Sequence, residues 1–152
     1  MIAILQRISS GSVKVDGEIV ASCEKGFLVL LGVAYGDEET DARLLADKIV
    51  KMRVFTDEND KMNLSVNDIG GGIMIVPNFT LLASYKKGNR PDFMNSAAPA
   101  KAKELFEYFV EYIKKYNENV TTGRFGAHME VSIVNDGPVT IPMDSNVLKR
   151  IK

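Results

Sequence analysis

Histidine and cysteine occur once each in 152 residues, as His128 and Cys23, and tryptophan is absent. So little imidazole and thiol leaves scant material for a zinc-type site or for Ser-His-Asp catalysis, and neither a metal nor another cofactor is implied. A single thiol cannot close an internal disulfide, which suits a reducing compartment. Apolar runs are short, none approaching the roughly 20 residues of a membrane helix. The start Met1-Ile2-Ala3-Ile4-Leu5 meets Gln6 and Arg7 at once, without the basic opening and small-residue cleavage site of a signal peptide. The expected location is cytoplasmic, with no membrane partner. An excess of one charge is missing too: 19 Lys and Arg oppose 20 Asp and Glu, for a net charge of −1. The global field therefore does not mark a DNA-binding protein. Lys86, Lys87 and Arg90 fall in one loop, and Lys101, Lys103, Lys114 and Lys115 on or beside one helix; both groups read as solvated surface.

What is present is ordinary globular material, 45% hydrophobic and 26% charged, enough for one domain spanning residues 1–152. Ile2 to Ile8 and Ser12 to Val15 read as short strands, with Asp16-Gly17 as a two-residue hairpin turn before Ile19. Phe27 to Leu31, bounded by Gly26 and Gly32, reads as a strand covered on both faces. Asp37, Glu38 and Glu39 precede Ala42, Leu45, Ala46, Ile49 and Arg53, the three-and-four spacing of an amphipathic helix with an acidic first turn. Pro99 opens a second helix whose stripe is Ala102, Leu105, Phe106, Phe109, Ile113 and Tyr116, packed on a sheet. Ile73–Val76 and Phe79–Leu82 read as a strand interrupted at Pro77, implying an edge, a bulge or a strand end. Met129, Val131 and Ile133 alternate with His128, Glu130 and Ser132, predicting a strand with one buried face that ends or turns at Asn135 to Pro138. Two main helices among six or more short strands, without regular βαβ alternation, make a mixed α/β domain rather than a dinucleotide fold.

Candidate chemistry is sparse. His128, on a predicted strand, is read as structural, and Cys23 stands near no partner base. Asp57-Glu58-Asn59-Asp60 is a solvated turn, lacking the glycine and terminal glutamate of a calcium loop. More distinctive are backbone-heavy segments that bring main-chain groups close to a ligand: Gly70-Gly71-Gly72, Pro77 to Leu81, Gly123 to Ala127, and Asn135 to Thr140. Within the last, Gly137-Pro138 is the kind of bond at which a cis peptide is cheap.

These segments, with Leu5-Gln6-Arg7-Ile8-Ser9-Ser10, Val29-Leu30-Leu31-Gly32-Val33, Met52 to Glu58, Lys61 to Ser65, Lys87-Gly88-Asn89-Arg90-Pro91-Asp92-Phe93, Gly126-Ala127-His128-Met129 and Asn135-Asp136-Gly137-Pro138-Val139-Thr140, resemble in order the motifs of D-aminoacyl-tRNA deacylases. The resemblance implies a compact, barrel-like, homodimeric fold. It implies hydrolysis of the ester between a D-amino acid and the 3′-terminal ribose of tRNA, and of glycine mischarged on tRNA-Ala. It further implies a cis Gly137-Pro138 that enters the partner's site and excludes L side chains by fixed backbone, with Arg7 holding the partner's loop and Met129 lining the pocket. Asn78, Phe79 and Thr80 take the catalytic positions, main-chain N–H groups near Phe79 and Thr80 binding the reacting carbonyl and the substrate's 2′-hydroxyl assisting water. An aminoacyl ester is already activated, so positioning and oxyanion stabilisation suffice without a strong nucleophile. One departure touches the site: Pro77-Asn78 stands where the family has serine-glutamine. It leaves two other readings, a binding module that lost catalysis and a chirality-relaxed editor in which Gly137-Pro138 is trans.

Overall fold

The computed structural model describes residues 1–150, and its spine is one strand. β1 (Ile2–Val15) is 14 residues long, roughly 45 Å at strand rise. Its first half pairs antiparallel with β3 (Gly26–Gly32), from Ile2↔Gly32 to Ile8↔Gly26. Its second half pairs on the same path with β2 (Glu18–Cys23), and its other edge carries β8 (Glu130–Asp144) from Ile2↔Asp144 to Lys14↔Glu130. β6 (Gly72–Pro77) lies parallel to β3, and β7 (Val120–Thr122) parallel to β6. The order β2-β1-β3-β6-β7 curls until its ends meet, where Thr121 Oγ1 donates to the Ser22 carbonyl at 3.2 Å. The sheet is therefore a nearly closed barrel. A separate ribbon of β4 (Phe55–Thr56) and β5 (Met62–Leu64) flanks the turn at Asp57–Asp60.

Residue alternation builds two cores. Leu5, Phe27, Val29, Ile73 and Ile75 face Leu45 and Ile49 of α1 (Glu39–Lys51) and Leu105 and Phe109 of α2 (Pro99–Lys114). Their alternate neighbours Leu28, Met74 and Val76 join Ile8 and Val13 on the opposite face, inside the curl. Leu5 and Val13 are both odd-numbered yet lie in different cores, so β1 must change face once between them. It does so after Ile8, which already lies in the second core, where the β1/β8 register shifts between Ile8 and Ser10.

Several expectations hold and several are corrected. Asp16 and Gly17 turn with φ of 51° and 80°, as a two-residue hairpin demands. β3 is buried on both faces between β1 and β6. Ile2–Ile8 and Ser12–Val15 are one strand, because Ser10 and Gly11 resume pairing after a bulge at Ser9. The first helix stops before Arg53, at Met52, whose ψ of 124° is extended. Asp37 lies outside it, its carboxylate accepting from the Ala34 N–H at 2.6 Å. α2 ends before Tyr116, which is exposed. Phe79–Leu82 is a 3-10 turn rather than a strand, since the chain after Pro77 leaves the β3 ladder. β8 does not end at Asn135–Pro138: Ile8 pairs with Asn135 and Gln6 with Thr140, so the intervening residues bulge from a strand that resumes. The strand starts at Glu130, after His128 and Met129, and Val131 is exposed rather than core. There are eight strands and three helices among the described residues, the third being the short α3 (Ser145–Lys149). Two of the sheet's pairings are parallel crossovers, β3 to β6 through α1 and β6 to β7 through α2.

Candidate active site

Where β6 runs out, the chain must turn sharply, and Gly32 gives it room. A Cβ there would lie 2.4 Å from Leu82 Cδ2 and 3.0 Å from the Asn78 carbonyl. Asn78 N–H still reaches the Leu31 carbonyl at 2.8 Å, anchoring the turn to β3. The Asn78 side chain then caps the 3-10 turn: Oδ1 accepts from Thr80 N at 3.2 Å and from Thr80 Oγ1 at 2.5 Å. An atom facing a main-chain N–H must be the amide oxygen, so Nδ2 points elsewhere, and it donates to no described residue. Phe79 opens the turn and has no earlier carbonyl within it to bond. Its N–H likewise finds no partner among the described residues. Its ring is 58% exposed and meets Phe93 edge-on at 5.0 Å.

This turn forms one wall of a cleft of about 950 Å³. Phe93, Met94 and Ser96 form another wall, α2 contributes Ala102 and Phe106, and Phe125 to Met129 with Val131 close the far side. The last group explains why the alternation at Met129 and Val131 misleads: that face is the cleft wall, not core. Of the expected site residues, Asn78, Phe79, Thr80 and Met129 are brought together here. His128 joins them on a loop instead of the predicted strand and is exposed. The lining contains no Asp, Glu, Lys or Arg, and its polar side chains are those of Tyr35, Asn78, Thr80, Ser96 and His128.

Cys23 lies elsewhere, at the β2–β7 seam, where burial and then Glu24 push its thiol pKa up and keep it protonated. Thr80 has a hydroxyl whose proton is already held by Asn78 and no base beside it, which makes it a poor nucleophile.

Arg7, Gly137 and Pro138 are not in this cleft. They form a second assembly at the β8 bulge. Arg7 is buried, its Nε donating to the Asp136 carbonyl at 3.0 Å and its Nη1 to the Val54 carbonyl at 2.7 Å. Nε also lies 3.3 Å from the Asp136 carboxylate. The resemblance implies that Arg7 holds the partner's loop; the structure has it gripping the loop of its own chain. Asn135 Nδ2 closes the bulge by donating to the Arg7 and Val139 carbonyls. Gly137 and Pro138 stand exposed at the tip, joined by a cis peptide. A Cβ on Gly137 would meet Val139 N and Cγ2 at 2.8 Å, and its φ of 135° disfavours any other residue.

Sequence inspection missed Phe93, Phe106 and Phe125 as cleft residues. Phe106 belongs to a regular core stripe, and the three are gathered only by the tertiary fold.

The family model described as D-Tyr-tRNA(Tyr) deacylase matches residues 4–144. The chain is 52% identical to a D-aminoacyl-tRNA deacylase of Thermosipho africanus over 145 residues, 95% of this chain and 97% of that protein. It is 46% identical to one from Dictyoglomus turgidum over 150 residues, 99% and 96% of the two. A solved c-Myc DNA unwinding element binding protein superposes with TM-score 0.90 at 38% identity, covering 95% of this chain and 98% of that one. A probable eukaryotic D-amino acid tRNA deacylase shares the fold with TM-score 0.79 at 18% identity, covering 94% and 98%. The chain belongs to the D-Tyr-tRNA(Tyr) deacylase family and is a hydrolase acting on aminoacyl-tRNA esters.

Proposed function

We propose that this hydrolase works as a cytoplasmic homodimer that clears D-amino acids, and glycine mischarged on tRNA-Ala, from the 3′ end of tRNA while sparing L-aminoacyl-tRNA. The observation that carries the reading is the division of labour within one chain. A cleft without acidic, lysine or arginine side chains has unengaged N–H donors at one wall, and a firmly held Gly-Pro loop stands outside it. In a twofold dimer each surface patch meets its counterpart, so one subunit's loop is available to the other's cleft.

In this mechanism the terminal ribose ester lies against the turn at Asn78–Thr80. The Phe79 N–H and Asn78 Nδ2–H donate to the carbonyl oxygen as it becomes an oxyanion, and water assisted by the ribose 2′-hydroxyl attacks the carbon. The C–O bond to the ribose breaks, and the proton goes to the leaving 3′-oxygen. Thr80 supports the turn rather than attacking. Met129 shapes the cleft floor, and Arg7 fixes the loop that Gly137 and Pro138 present to the partner. The main-chain carbonyls of that loop occupy the space an L side chain needs, whereas a D side chain points outward and glycine has none to reject.

Incubation with D-tyrosyl-tRNA and L-tyrosyl-tRNA tests this: release of D-tyrosine with the L ester left intact is expected. Equal rates would overturn the chirality claim, and tight binding without turnover would mark a binding module instead.

A further inference from the structure

We propose that the hairpin loop 84–92 is a phosphate-binding arm that seats the acceptor stem of tRNA. Lys86, Lys87 and Arg90 are its contacts, and the proposal rests on aminoacyl-tRNA being the substrate. The loop is a built element: Ser84 and Asp92 exchange both backbone hydrogen bonds, at 2.8 and 2.9 Å, and Gly88 turns the tip with φ of 66°. Asp92, its one carboxylate, is exposed and accepts from the Met94 N–H at 3.2 Å, so the loop's three cations outnumber its single anion. The three cations are exposed, and none forms an ion pair among the described residues.

The lysines of α2 differ. Lys101 pairs with Glu104, Lys103 with Glu107 and Lys114 with Glu111, which makes that face a self-neutralised surface. On a chain of net charge −1, the loop is thus a local excess of positive charge held in no ion pair, the electrostatic footprint that a polyanion requires.

Its position fits one polyanion in particular. Phe93 and Met94, which line the cleft, follow directly on Asp92. Arg90 is three residues from Phe93, so their Cα atoms are at most about 11 Å apart. A strand whose terminal ribose ester lies in the cleft carries phosphates at that range. The cleft itself offers no lysine or arginine to hold them. Loop and cleft would therefore divide the substrate between them, backbone charge to the one and ester to the other.

The test compares the triple variant Lys86→Gln/Lys87→Gln/Arg90→Gln with a charge-matched control, Lys101→Gln/Lys103→Gln/Lys114→Gln. Each is assayed on full-length D-aminoacyl-tRNA and on D-aminoacyl-adenosine, which has the ester and no stem, across a salt series; affinity for uncharged tRNA is measured in parallel. The loop variant is expected to lose at least about tenfold in kcat/KM on tRNA at low salt. Its slope of log affinity against log salt should be shallower by about 2 to 3, roughly one per lost phosphate contact. Its rate on the adenosine ester should match the parent's, and the helix variant should match the parent throughout. Equal losses on both esters would overturn the proposal, as would an unchanged salt slope or an equal effect from the helix variant. Should the parent hydrolyse neither ester while the loop variant still loses tRNA affinity, the arm stands and the D-amino-acid reading falls.

Discussion

Asn78 shows how a single side chain can serve the fold and, in the proposed mechanism, the chemistry through different atoms. Its oxygen caps the 3-10 turn and holds the Thr80 hydroxyl, while its amide nitrogen is left for a ligand. Aspartate caps a turn as well as asparagine but brings no N–H and adds a negative charge to a cleft that has no other carboxylate. Asn78→Asp is therefore expected to keep parent stability in urea and to lose about 100-fold in kcat, the usual scale for one oxyanion donor. Thr80→Val removes one neutral hydrogen bond, about 1 kcal/mol, and should lower kcat by no more than about tenfold. Were Thr80 the nucleophile, single-turnover hydrolysis by that variant would fall by about 10⁴-fold or more. The residue types at this site were legible in the sequence because the motif around Phe79 is compact. The split between the two ends of the Asn78 amide was not, since it depends on the turn's dihedral angles.

At the scale of elements, periodicity served where packing is one-sided. The stripes Ala42-Leu45-Ala46-Ile49 and Ala102-Leu105-Phe106-Phe109-Ile113 are buried as spaced. It failed where chain geometry, rather than burial, decides. Phe79–Leu82 is apolar enough for a strand but follows a proline that ends the ladder. Asn135–Pro138 has turn chemistry but is absorbed as a bulge, because Arg7 and Asn135 satisfy the backbone groups it exposes. α3 passed unnoticed because five residues carry no period, yet it is tied to α1 by a buried carboxylate. Asp41 accepts from Ser145 Oγ at 2.6 Å, Lys149 Nζ at 2.7 Å and Glu38 N–H at 2.9 Å. Burial alone would raise its pKa, but the hydrogen bonds from Lys149, Ser145 and Glu38 outweigh it, and the pKa lies below the usual carboxylate value. A folded-state pKa below the unfolded one means stability that is present above the unfolded value, about 3.9, and lost as pH falls through the folded value. Asp41→Asn should thus lower the urea midpoint at pH 7, and its gap from the parent should narrow below about pH 4. A gap as wide at pH 3 as at pH 7 would show that Asp41 acts by shape rather than by charge.

At the scale of the whole molecule, the decisive question is whose cleft the Gly137-Pro138 loop serves, and two variants combined in the proposed dimer can answer it. An added Cβ on Gly137 collides with Val139 N, so Gly137→Ala must shift the loop while leaving Asn78, Phe79 and Thr80 untouched. That variant alone is expected to hydrolyse L-tyrosyl-tRNA as well as the D ester. Asn78→Asp has the complementary defect, a weak cleft beside an intact loop. When Gly137→Ala subunits are reassembled with a large excess of Asn78→Asp subunits, nearly every competent cleft faces an intact loop from its neighbour. Exchange of loops across a twofold axis then predicts that L-ester hydrolysis per Gly137→Ala subunit falls toward background while D-ester hydrolysis persists. A loop that acted on its own chain's cleft would leave the ratio of L to D rates unchanged at every mixing ratio. Sedimentation of the mixture establishes that dimers form, so that an unchanged ratio refutes the shared site and cannot be mistaken for failed assembly.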